Sequence, residues 1–225
     1  MVLDWRSLLP VISCLALLSA GLTIVGYYLR PPRRTLIYIC KPLTTILILL
    51  TVRLPGTLLT DRYALAIGIG LLFSLFGDIW QMLSRRHFLK GLISFLITHI
   101  CYVLAFLTDA PEFQFLWPAL PLGLIGAVIL AYLWPALSAG MKAAVGVYVG
   151  VIVVMVVLAA ARALASFTLG SLFAAIGAFL FLASDAVLAI NRFRRPFYLA
   201  QAVILGTYFT GQWLIALSVG LRTFE

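Results

Sequence analysis

Four ionisable side chains stand inside long apolar stretches of this 225-residue sequence: Lys41, Asp78, His99 and Asp185. A charge at the centre of a membrane-spanning helix costs about 2.5–3.5 kcal/mol on insertion scales, so such residues persist mainly where they meet a partner or a wet cavity. The other five acidic residues (Asp4, Asp61, Asp109, Glu112 and Glu225) fall between or beyond the apolar stretches, which makes Asp78 and Asp185 the informative pair. Two carboxylates facing each other in a low-dielectric site resist being charged together, which leaves an acid beside a base. Intramembrane aspartyl proteolysis would need the GxGD pattern, but Leu75 stands where its first Gly before Asp78 is required. A zinc amidase would need about three His ligands; the chain has two, and His87 lies in a connecting segment. No metal and no cofactor is therefore implied. Metal-free acid/base hydrolysis of a lipid remains, beside a proton relay in a transporter. A structural reading is also open, in which the carboxylates are interhelical hydrogen-bonding groups or pair with Lys41.

The elements that must position these groups are membrane helices. The chain is 64% hydrophobic and 10% charged, against roughly 45–50% and about 25% in a soluble domain. That composition excludes a soluble enzyme, a nucleic-acid-binding domain and a disordered chain. Runs of about 20 apolar residues predict eight spans, at 8–29, 35–52, 63–83, 88–107, 115–133, 141–161, 167–190 and 197–220. They form one all-α, polytopic membrane domain. Short connectors carry turn and charge signals, such as Pro55-Gly56, Ser84-Arg85-Arg86, Ala110-Pro111 and Arg194-Arg195-Pro196. The net charge of +9 is explained by basic residues at span ends rather than by nucleic acid. Cys14, Cys40 and Cys101 lie in apolar runs and read as packing residues. Ten Lys and Arg fall on the side of the first, third, fifth and seventh connections, and five on the other. The positive-inside rule makes the richer side cytoplasmic and places both termini outside it. The expected location is the bacterial inner membrane.

Depth brings the charges together. Asp78 and Asp185 each lie five residues before the inner end of their predicted span, about 7–8 Å in, and Lys41 lies about 9 Å in from the same side. Polar and small residues extend this layer along single faces. Gly70, Ser74, Asp78 and Gln81 form one stripe, and Gly91, Phe95, His99 and Tyr102 another, while Tyr208 and Gln212 are one turn apart. Pro42, directly after Lys41, is expected to kink or open its helix. A short echo links the third and seventh spans. Each has Gly eight residues before Asp and Arg seven residues after it (Gly70, Asp78, Arg85; Gly177, Asp185, Arg192), a spacing that would suit a parallel 4+4 repeat.

The ordered set Lys41-Pro42, Ser74, Gly77-Asp78, Phe88, Gly91, Phe95, His99, Tyr102, Ser184-Asp185, Tyr208 and Gln212 resembles the YhhN-like family of membrane lysoplasmalogenases. The resemblance runs from the second span to the eighth. The run Tyr208-Phe209-Thr210-Gly211-Gln212 departs from the paired Tyr that members often carry. Membership implies hydrolysis of the vinyl ether bond of a lysophospholipid substrate to a fatty aldehyde and a glycerophospho-headgroup. Asp78 and Asp185 would then be acid and base, in an order the sequence leaves open. Lys41 would meet the phosphate or tune the carboxylates. Ser74, His99, Tyr102, Ser184, Tyr208 and Gln212 would support the site or line it. The rival class is a proton-coupled transporter or lipid-binding protein using the same aspartates.

Overall fold

A computed structural model describes residues 5–53, 61–83, 85–109 and 112–222. The turn residues Pro55, Gly56, Ser84, Ala110 and Pro111, and the extreme termini whose side was predicted, lie outside the described residues. The helices are α1 (Trp5–Tyr28), α2 (Arg34–Arg53), α3 (Arg62–Met82), α4 (Phe88–Phe106), α5 (Ala119–Leu133), α6 (Ala139–Ser166), α7 (Leu169–Phe193) and α8 (Ala200–Arg222). Among the described residues, eight helical segments are long and apolar enough to cross a membrane. In hydrocarbon every backbone N–H and C=O must pair within its own segment, and a continuous apolar helix achieves this. The protein is an integral membrane protein.

Local chemistry sets several ends. The Asp61 side chain caps α3 by accepting from the Tyr63 amide at 2.9 Å. Thr168 and Ser171 form a reciprocal capping box at the start of α7. Two ends differ from expectation, with consequences for the site. α6 runs five residues past the predicted 161 and takes in Arg162, assigned by sequence to a connection. Arg162 is buried, pairs with Asp109 at 3.0 Å and lies over the Tyr63 ring at 4.8 Å. It adds a buried charge to those found from sequence, and its partner Asp109 lies just beyond the end of α4. α7 runs to Phe193, which sets Asp185 eight residues from the helix end, about 12 Å, rather than five. Nor does Pro42 break α2, which is helical throughout. The nearby Cys40 carbonyl accepts from the Thr44 and Ser19 hydroxyls.

The packing order makes a ring. α2, α3, α4, α6, α7 and α8 are successive neighbours, α8 returns to α2, and α3 reaches across to α8. α1 leans on α2 and α8 from outside, and α5 leans chiefly on α6. Large apolar residues point outward along both, including Leu15, Leu18 and Leu22 of α1 and Leu120, Leu124 and Val128 of α5. Inside the ring Ile67, Leu71, Phe106, Ile152, Met155 and Phe181 are fully enclosed.

Glycines set the tightest contacts. A Cβ on Gly177 of α7 would lie 2.6 Å from the Gly211 carbonyl oxygen of α8, and one on Gly211 would lie 2.7 Å from the Gly177 oxygen. The two backbones touch, as small residues allow in membrane interfaces. Gly70 and Gly77 of α3 likewise seat the rings of Tyr102 and Phe95 of α4. The glycine eight residues before each aspartate is thus a point of close approach to the following helix. Val at 177 is expected to cost about 1–3 kcal/mol or more through overpacking. Gly177→Val should therefore abolish the monodisperse peak in detergent size-exclusion chromatography. Gly150→Ala, at a position with nothing within 4 Å, should leave that peak intact.

Candidate active site

Every helix of the ring sends a polar side chain inward, and these sort into two networks. The first centres on Asp78 of α3, which is fully enclosed. Its Oδ1 lies 3.2 Å from the Lys41 ammonium of α2. Its Oδ2 accepts from Thr45 Oγ1 at 2.6 Å and from the Tyr208 hydroxyl of α8 at 2.8 Å. Tyr208 meets Ser74 at 2.7 Å, Ser74 accepts from the Gln212 side-chain amide, and the Gln212 carbonyl accepts from the Tyr102 hydroxyl. With Tyr208 donating to Asp78, Ser74 donates to Tyr208. The donors then run one way, from Tyr102 through Gln212, Ser74 and Tyr208 to the carboxylate. Such a chain polarises each bond toward Asp78, an arrangement that suits a carboxylate beside an ammonium.

The second network surrounds Asp185 of α7. Its Oδ2 accepts from the Tyr148 hydroxyl of α6 at 2.5 Å, with His99 Nε2 of α4 at 3.5 Å from the same atom. The His99 ring is enclosed and packs edge-on against Tyr148 and Phe181, centroids 5.1 and 4.6 Å away. Phe181 also packs edge-on against Tyr208 and Phe95, so aromatic rings stand between the two networks. Among the described residues no hydrogen-bond partner is common to the two aspartates. The face-to-face carboxylate pair expected from sequence is not formed: Asp78 meets Lys41, Thr45 and Tyr208, whereas Asp185 meets Tyr148 and His99.

Two cavities reach these networks. A narrow apolar cleft of about 50 Å³ between α4, α5, α6 and α7 has Asp185 and Tyr148 in its wall, with Phe95, Ile129, Leu133 and Leu182. A larger, more polar cavity of about 450 Å³ is lined by Lys41, Asn191, Arg192 and Gln201 with Tyr27 and Trp80. Gln81, Phe88 and Leu188 border both. Asp78 borders neither. Its outlet is Lys41, which also donates to Gln81 at 3.5 Å.

Ranged along the chain, this constellation can be compared with known proteins. The pattern describing the YhhN family matches residues 36–219. The chain belongs to the YhhN family. It is 35% identical over 189 residues to lysoplasmalogenase TMEM86A of Homo sapiens, covering 80% of this chain and 75% of that one. It is 31% identical over 207 residues to the uncharacterised membrane protein YhhN of Escherichia coli O6:H1, covering 91% and 96%. No solved structure matches.

In this YhhN protein most residues singled out from sequence converge. Lys41, Ser74, Asp78, Tyr102, Tyr208 and Gln212 share the first network; His99 and Asp185 meet in the second. Ser184 joins neither, since its hydroxyl donates to the Ile204 carbonyl at 3.0 Å and ties α7 to α8. Three contributors were missed. Thr45 is one turn beyond Lys41 on the same face. Tyr148 stands alone among the Val, Gly and Ala of α6, a position where its hydroxyl needs a partner. Arg192, counted as a connection charge, lies in the last turn of α7.

The Lys41–Asp78 pair gives a stability test. Lys41→Met alone strands a buried carboxylate, a loss of about 3–5 kcal/mol, and should lower the melting temperature in detergent sharply. Adding Asp78→Asn should restore most of the loss. A double variant no more stable than Lys41→Met would show that the two groups are not coupled.

Proposed function

We propose that this protein hydrolyses the vinyl ether bond of lysoplasmalogens, giving a fatty aldehyde and a glycerophospho-headgroup by metal-free acid/base chemistry. The observation that carries the reading is the junction of two unlike cavities. A polar chamber holding the Lys41 ammonium adjoins an apolar cleft with a carboxyl group in its wall. A lysolipid has the matching halves, and its enol ether sits where they join. The name of the human relative supports the same substrate class.

Vinyl ether cleavage starts with protonation of the β-carbon. Asp185 borders the cleft, and its Oδ2 is held by Tyr148, which leaves Oδ1 to carry the proton. Transfer to the β-carbon yields an oxocarbenium ion, and the carboxylate left behind faces that positive charge. Water then adds to the α-carbon and gives its proton to Asp185. The hemiacetal collapses to aldehyde and the glycerol hydroxyl, so one carboxyl group serves first as acid and then as base. His99, beside Oδ2, orients the carboxylate. Asp78 contributes from behind: its charge fixes Lys41 and so holds the ammonium toward the phosphate.

Purified protein incubated with an alkenyl lysophospholipid in detergent should release aldehyde and glycerophospho-headgroup in equal amounts. Asp185→Asn should reduce turnover by about 10²–10⁴-fold, the usual share of a general acid. Tyr148→Phe should reduce it less, and Asp78→Asn should act mainly on KM. The five-residue hydrogen-bond line ending at Asp78 also favours a second reading, a proton relay in a transporter. Proton-dependent flux into vesicles with no aldehyde from any alkenyl lipid would select it.

The chamber end of the bundle carries the denser basic connections, and we place it in the cytoplasm, with both termini outside and the protein in a bacterial inner membrane. A reporter active only in the cytoplasm should work when inserted between Arg192 and Pro196 and stay silent after Glu225. The reverse pattern would invert the bundle.

A further inference from the structure

The sequence pairs each aspartate with an arginine seven residues later, but only the second pair shares a helix: α3 ends at Met82, before Arg85, whereas α7 continues through Arg192 to Phe193. Seven residues are two turns, so Asp185 and Arg192 lie on one face of α7, with Leu188 between them. The cavities confirm the stripe. Asp185 borders the apolar cleft, Leu188 borders both cavities, and Arg192 borders the polar chamber. The Arg192 guanidinium lies over the Phe88 ring, 4.7 Å from its centroid, and Phe88 also borders both cavities. Among the described residues no carboxylate forms an ion pair with Arg192. Across the chamber stands Lys41, whose charge is already balanced by Asp78.

We propose that Arg192 binds the phosphodiester together with Lys41 across the chamber and that α7 acts as a ruler, setting phosphate and enol ether a fixed distance apart. This rests on the lysoplasmalogenase reading and names the feature by which the substrate is registered. Seven residues of helix span about 10 Å. In a glycerophospholipid seven bonds separate phosphorus from the β-carbon of the vinyl ether, about 8 Å at roughly 1.2 Å per bond of extended chain. A hydrogen bond from guanidinium to phosphate adds about 3 Å. The glycerol spacer therefore places the β-carbon at Asp185 when the phosphate is held at Arg192, and the forked guanidinium fits the two free oxygens of a phosphodiester. Leu188 and Phe88 flank the spacer, where neither charge nor chain needs a partner.

Three alkenyl lipids test this with the full chain in detergent: the natural alkenyl-glycerophosphoethanolamine, an alkenylglycerol lacking phosphate, and an analogue with three extra methylenes between phosphate and ether oxygen. Wild type should prefer the natural lipid in kcat/KM by tenfold or more over both others. Arg192→Gln should lose about tenfold on the natural lipid through KM, a typical loss for one charge-assisted contact, and should keep its rate on alkenylglycerol. Arg192→Lys, which keeps the cation but not the fork, should fall between. Equal loss on the phosphate-bearing and phosphate-free lipids in both variants, or no loss at all, would overturn the assignment. Equal wild-type rates on the natural and lengthened lipids would overturn the ruler. If wild type released no aldehyde from any of the three, the hydrolase reading would fall separately. Binding of a saturated alkyl-ether lysophospholipid would then decide the subsite: weaker binding by Arg192→Gln sustains it, and equal binding removes it.

Discussion

A lysine and an aspartate 3.2 Å apart, both withdrawn from water, set the terms for the rest of this bundle. In hydrocarbon neither ion could be carried alone, and even as a pair they leave lone pairs and protons that need partners. Thr45 and Tyr208 take one carboxylate oxygen, and Ser74, Gln212 and Tyr102 complete the line behind Tyr208. Satisfying one buried pair thus draws in four helices, α2, α3, α4 and α8. The direct meeting of α3 with α8 across the ring follows from the same demand, since Tyr208 and Gln212 must reach Asp78 and Ser74.

The two aspartates illustrate how environment divides roles between identical side chains. Asp78 has a cation, two hydroxyl donors and no opening. Asp185 has a tyrosine hydroxyl, a histidine edge and a face on an apolar cleft. A group sealed by its partners is suited to holding charge in place, whereas one facing a cleft is suited to exchanging a proton with whatever enters. Phe95 and Phe181 keep the settings apart while packing both together.

Much of this was legible in the sequence because membrane insertion penalises unneeded polarity. Asp78, Lys41, His99 and Asp185 stood out against apolar runs, and stripes at helical spacing led to Ser74, Tyr102, Tyr208 and Gln212. What was hidden depended on helix ends and on hydroxyls that look apolar in composition. Arg162 and Arg192 were read as connection charges because α6 and α7 extend further than hydropathy alone indicates; Arg162 is sheltered by Asp109 and aromatic faces, and Arg192 lies over Phe88. Tyr148 and Thr45 were overlooked because one hydroxyl on an apolar body raises no charge signal, although each ends as a direct partner of an aspartate. Ser184, beside an aspartate in sequence, turned instead to the backbone of α8, a distinction only rotational position can make.

The seam at Gly177 and Gly211 has a mechanical corollary. Backbones that meet without intervening side chains leave α7 and α8 no room to slide or roll past each other. Asp185 and Arg192 on one member, and Tyr208 and Gln212 on the other, are therefore mounted on a common stiff frame. The opposite boundary of the apolar cleft is built differently. There Ile129 and Leu133 of α5 form the wall, and α5 stands outside the ring, packed chiefly on α6 and only lightly on α7. Sparse packing makes a boundary yield first. The compliance of the cleft is thus concentrated on its lipid-facing side, while the polar atoms stay in register on the rigid one.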